Sequence, residues 1–130
     1  MSRRRRRAPD LLAGAFAVSG TVHLVRPQVF EPTMPRLIPA KHHRALIYLS
    51  GIAELACATG LVRRAEWAGP ASVAVLVGVF PANVQMALDS GTGRNAGAAD
   101  SRVLSWGRLP LQLIMVWAAL ESRTNEPHPR

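Results

Sequence analysis

Cysteine is nearly absent from this chain of 130 residues: Cys57 is the only one, so no internal disulfide is possible and no cysteine-based metal cluster can form. Acidic residues are also scarce, with 8 Asp and Glu against 16 Lys and Arg, and aromatics make up only 5%. The excess charge of +8 is deceptive, because Arg3 to Arg7 supply five positive charges in one run. The remainder is close to balanced, which removes most of the case for a nucleic-acid partner. No glycine-rich phosphate loop and no haem or flavin pattern is present, so no cofactor is expected from the motifs. Mean hydropathy is +0.10, low for a membrane protein and high for a basic soluble one.

The distribution of charge resolves that tension. Four stretches, 11–25, 45–62, 67–88 and 103–120, hold just two charged side chains, Glu54 and Arg108. A membrane helix needs about 20 largely apolar residues, with a working range of about 17 to 25. The third stretch meets this with 22 residues, the second just meets it, and the first and fourth are short. The third also lacks a polar face, since Val73, Val75, Leu76, Val77, Val79 and Phe80 surround the helix. The fold class expected is all-α, an integral membrane four-helix bundle, in preference to a soluble bundle with unusually apolar helices. Residues 1–10 read as a basic cytoplasmic tail, 11–120 as the membrane domain and 121–130 as a disordered polar tail.

The connections agree. Residues 26–44 are rich in proline and charge and read as a loop or short surface helix. Residues 63–66 form a tight basic turn, so the second and third helices make a hairpin. Residues 89–102 carry Gly91, Gly93 and Gly97 and read as a flexible linker. Pro9 and Asp10 interrupt the start of the first apolar stretch, and no small-residue cleavage site ends it, so it is expected to remain as an uncleaved helix. With four spans, nine Lys and Arg fall on the side of the termini and seven on the other. The first five arginines decide this bias and place both termini in the cytoplasm.

Small residues at spacings of three and four (Ala13, Ala17, Gly20; Ser50, Ala53, Cys57, Gly60; Ala71, Ala74, Gly78, Ala82) suit close helix packing in lipid. Polar residues at membrane depth are the candidate site. Glu54 lies mid-span, where an ionised carboxylate costs several kcal/mol unless paired or hydrated, so it is either an interhelical lock or a proton-carrying or ligand-contacting group. Ser50 precedes it by one turn. Arg108, one turn before Gln112, is the expected partner of Glu54 or else a side chain snorkelling to the interface. His23 is an interfacial proton acceptor or a boundary residue. Asn83, or Gln85, is placed to satisfy a carbonyl freed by Pro81. The adjacent pair His42 and His43 is a weak metal motif, and no metal site is expected.

Read in order, His23 to Pro27, Met34-Pro35, Tyr48 to Gly51 with Glu54, Phe80-Pro81-Ala82-Asn83 and Arg108-Leu109-Pro110-Leu111-Gln112 resemble the DoxX-like family of small bacterial integral membrane proteins. The resemblance covers about residues 10 to 120. It implies four helices in the bacterial cytoplasmic membrane and an association with redox chemistry, quinone-linked or in oxidative-stress complexes. Relatives that perform thiol chemistry carry paired cysteines, and Cys57 alone does not supply them. The expectation is therefore an accessory or structural subunit, not an autonomous enzyme, with no catalytic residue. A quinone headgroup, a redox partner protein and a second copy of the chain are its candidate contacts, beside the lipid bilayer itself. In that reading Glu54 exchanges a proton, Arg108 holds an anionic or semiquinone oxygen, and Ser50 or Gln112 adds hydrogen bonds. The rival reading is a small proton-coupled transporter using Glu54, and a third is a soluble basic binding module.

Overall fold

The computed structural model describes residues 3–95 and 97–124, and among these no strand occurs. Four helices follow one another: α1 (Arg3–Val25), α2 (Ala40–Val62), α3 (Ala68–Asp89) and α4 (Arg102–Thr124). Each contains a stretch of 19 to 23 residues long and apolar enough to cross a bilayer. The helices form a ring in which α1 packs most closely on α2 and α3 on α4, with lesser contacts between α2 and α3 and between α1 and α4.

Three of the four helices, α1, α2 and α4, are longer than their charge-poor stretches, while α3 matches its own in length. Helix α1 begins at Arg3 and runs through Pro9, so most of the basic segment expected as a tail is helical. Helix α2 starts at Ala40 behind Pro39 and takes in Lys41, His42, His43 and Arg44, which the sequence assigned to a connecting loop or short surface helix. Charged side chains do not stop a helix that has emerged from the apolar layer. The backbone continues because its own bonds are satisfied within the segment. Helix α4 continues to Thr124, past the expected end at residue 120, and the rest of the expected disordered tail, 125–130, lies outside the described residues.

The turn between α2 and α3 is closed by the backbone. The Ala65 N–H donates to the Gly60 carbonyl at 2.9 Å and the Arg64 N–H to the Leu61 carbonyl at 3.2 Å, a Schellman pattern with Arg64 in the left-handed region at φ 57°. Trp67 then folds back over Gly60, where a Cβ would lie 2.6 Å from the indole ring. Pro70 sits in the first turn of α3, where its missing N–H leaves no helical bond unmade.

Polarity is arranged inside out. Leu49, Ile52, Val77, Phe80, Leu113, Ile114 and Trp117 all project outward, while His23, Glu54, Ser72, Ser105 and Gln112 are buried. Contiguous exposed apolar surface on this scale is what a lipid environment accepts and water does not. The apolar core is a smaller cluster that includes Leu12, Phe16, Cys57, Leu61, Leu76 and Ala119. The small-residue stripe of α3 does not pack as expected: Ala74 is exposed and a Cβ on Gly78 would meet nothing within 4 Å. Helix α3 instead turns Ser72 and Leu76 inward, with Ala71 of the stripe partly buried against the core.

At one end of the ring, the loop before α2 reaches the end of α3. Arg36 Nη2 donates to Asp89 Oδ1 at 2.9 Å, and Gln85 Nε2 donates to Asp89 Oδ2 at 2.9 Å. Within the α3–α4 connection, which carries a 3-10 turn at Gly97–Asp100, the Gly91 N–H donates to the Asp100 carbonyl at 2.7 Å. The expected glycine-rich linker is thus a bonded loop.

Candidate functional site

Helices α1 and α2 cross antiparallel where two glycines face each other. A Cβ on Gly20 would lie 2.8 Å from the Gly51 carbonyl oxygen, and one on Gly51 would lie 2.8 Å from His23 Cβ. This close approach sets the register that brings His23 beside Glu54, three residues beyond each glycine.

Both side chains are buried, His23 being 8% and Glu54 4% exposed. His23 Nδ1 lies 3.5 Å from Glu54 Oε2 and 2.6 Å from the Ser19 carbonyl oxygen. A carbonyl only accepts, so Nδ1 carries a proton and donates it to Ser19; Nε2 of the neutral ring is then an acceptor. Because that N–H is committed to Ser19, the longer contact to Glu54 is secondary, and Oε2 is buried without a hydrogen-bond partner among the described residues. The Ser19 hydroxyl is 3.4 Å from His23 Nδ1. Phe30, from the loop after α1, stacks on the imidazole with centroids 3.8 Å apart and an interplanar angle of 9°. The ring is therefore fixed on one face by an aromatic and at one edge by a helix carbonyl.

Arg108 does not pair with Glu54. No carboxylate of the described residues lies within ion-pair distance of its guanidinium, although its field bears on both His23 and Glu54. It is exposed and lines an apolar groove of about 690 Å³ along α1, together with Ser19, Val22 and Phe30 at the end nearest the buried pair. Ser50 is half-buried one turn before Glu54 on α2.

Asn83 and Gln112 form a separate cluster between α3 and α4. Asn83 Nδ2 donates to Gln112 Oε1 at 2.7 Å, and Gln112 Nε2 donates to the Leu76 carbonyl. Pro81 deprives the Val77 carbonyl of its usual donor four residues on, yet neither Asn83 nor Gln85 reaches back to it. The interhelical amide instead takes the adjacent carbonyl, and Gln85 bonds Asp89. The six expected residues thus divide into the His23–Glu54 couple with Ser50 nearby, the Asn83–Gln112 bridge, and Arg108 in the groove. Ser19 and Phe30 were not among the expected site residues; the spacing of Ser19, one turn before His23, was the available signal for one, and the Val29-Phe30 step that follows the His23–Pro27 motif for the other.

Among the described residues no three His, Cys, Asp or Glu side chains converge as metal ligands. His43 Nε2 is committed to the Ile38 carbonyl at 2.8 Å. Chemically, the couple is a pair of adjacent proton-holding groups in a water-poor layer, one of them with a spare acceptor.

Residues 12–123 match the model of a family described as a domain of unknown function (DUF8561). The chain belongs to the DUF8561 family. No curated protein and no solved structure matches it. The matched stretch of this DUF8561 chain runs from the second turn of the α1 span to the last turn of α4, so it includes both polar clusters and the groove except Asp10 and Leu11 at one end.

Proposed function

We propose that this multi-pass protein is an accessory or structural subunit associated with redox chemistry in the bacterial cytoplasmic membrane, with both termini cytoplasmic. The order of separated motifs resembling DoxX-like proteins supports the redox association. The buried His23–Glu54 couple is the observation that carries a functional role for this site, since a carboxylate oxygen without a bond is a costly way merely to join two helices. In this reading Glu54 takes up and releases a proton in step with a partner's redox reaction, and a quinone headgroup is its candidate contact. A redox partner protein and a second copy of this chain are the candidate assemblies.

The test is purification in mild detergent from native membranes, followed by identification of co-purifying quinone and protein, for the wild type and Glu54→Gln. The expected result is a co-purifying redox partner with either protein, and loss of quinone reduction by the complex in Glu54→Gln at unchanged folded abundance. A chain recovered without any redox partner overturns the reading. The same spare oxygen favours a second function, proton-coupled transport. Substrate-driven proton flux in proteoliposomes, abolished in Glu54→Gln, would establish it in place of the first.

A further inference from the structure

The groove along α1 is shallow and open, and its polar groups lie at its ends. Its walls run from Asp10 to Val22, a helical rise of about 18 Å, which is more than half the ~30 Å hydrocarbon core of a bilayer and the reach of one lipid tail. Between its ends the lining is apolar, with Leu11, Ala15 and Val18, and at Gly14 the wall is open, since a Cβ there would meet nothing within 4 Å. The two ends carry opposite charge: Asp10 at one, and Arg108 beside Ser19 at the other.

We propose that this groove binds an anionic phospholipid, with one acyl chain laid along α1 and the phosphate held by Arg108. The guanidinium is exposed to the groove with no carboxylate of the described residues within ion-pair distance, and its planar fork matches phosphate oxygens. Its depth is compatible with a headgroup. Arg108 lies six residues into α4, about 9 Å along the axis, and its long stem carries the charge back toward the interface. Asp10 repels a phosphate from the opposite end, so the charge pattern fixes the direction in which the lipid lies. The site does not depend on the redox reading, only on the helices lying in a bilayer.

The test is native mass spectrometry of the purified full-length protein after equilibration in mixed micelles with equal amounts of phosphatidylglycerol and phosphatidylcholine. The wild type is expected to retain phosphatidylglycerol preferentially, by about fivefold, the factor one basic residue contributes against an anionic lipid. Arg108→Gln is expected to lose the preference and Arg108→Lys to keep most of it. Gly14→Leu, which fills open space, is expected to reduce retention of both lipids. Arg26→Gln, an exposed charge at the end of α1 and outside the groove, is expected to change nothing. Equal retention of the two lipids by the wild type overturns the proposal. So does an unchanged preference in Arg108→Gln, unchanged retention in Gly14→Leu, an Arg26→Gln loss equal to that of Arg108→Gln, or displacement of the lipid by inorganic phosphate alone.

Discussion

Gly20 of α1 and Gly51 of α2 meet backbone to backbone, so closely that neither position has room for a methyl group. In lipid, where apolar attraction between helices is weak, such contact is what holds two helices in one register. Gly20→Ala and Gly51→Ala are each expected to lower stability by about 1 to 3 kcal/mol, the usual cost of overpacking. Gly14→Ala, on the open side of the same helix, is expected to have almost no effect. Thermal unfolding in detergent would check this, and equal losses at Gly14 and Gly20 would refute it.

Arg64 occupies the left-handed region without the freedom of glycine, at a cost of about 1 to 2 kcal/mol. Its exposed side chain makes no contact that the turn needs. Arg64→Gly is therefore expected to raise stability by up to about 1 kcal/mol, the remaining benefit being offset by greater freedom in the unfolded chain. A fall in the midpoint of thermal unfolding would show that the arginine contributes something the turn geometry does not reveal.

Gln112 makes two interhelical hydrogen bonds, accepting from Asn83 and donating to the Leu76 carbonyl. Membrane hydrogen bonds average about 0.6 kcal/mol each and reach about 1.7. Gln112→Leu is expected to cost about 1 kcal/mol, and Asn83→Leu less, because it leaves the bond to Leu76 intact. A double-mutant cycle should show positive coupling between the two; strictly additive effects would mean that the pair does not interact in the bilayer.

Glu54 Oε2 has no hydrogen-bond partner among the described residues, and the side chain's one polar neighbour besides His23, the Ser19 hydroxyl, can bond an amide oxygen as well. Glu54→Gln is therefore expected to leave folded abundance within about twofold of wild type, since a neutral amide is cheaper to bury than a carboxylate. His23→Ala removes the bond to Ser19 and the stack on Phe30 together, and is expected to be the more damaging change. Fluorescence-detected size exclusion of the two variants would rank them. Collapse of Glu54→Gln alone would identify the carboxylate as a structural lock.

Four apolar spans were legible because only Glu54 and Arg108 interrupt 73 residues of otherwise uncharged sequence. Their ends were less so. Lys41 and Arg44 look like loop residues in sequence but belong to a helix that projects beyond the apolar layer. Glu54 stood out as the residue to explain, since its depth follows from counting along one span. Its neighbour did not, because the choice between His23 and Arg108 depends on the register between α1 and α2, and that register is set by the Gly20–Gly51 contact. The Arg36–Asp89 bond joins residues 53 positions apart and has no local signature at all.

That bond also constrains the order in which the protein is built. Asp89 ends the third span, so Arg36 waits in the first connecting loop until more than fifty further residues have been synthesised and inserted. Until then the first hairpin holds the third helix through the packing of α2 on α3 and the turn at the opposite end of the ring. Closing Arg36 on Asp89 ties the first connecting loop to the end of α3, making the bond a marker of the third span's arrival rather than of helix formation. Translation intermediates halted before Asp89 thus lack this tie, whereas in chains carried past it the first loop and the third helix are joined.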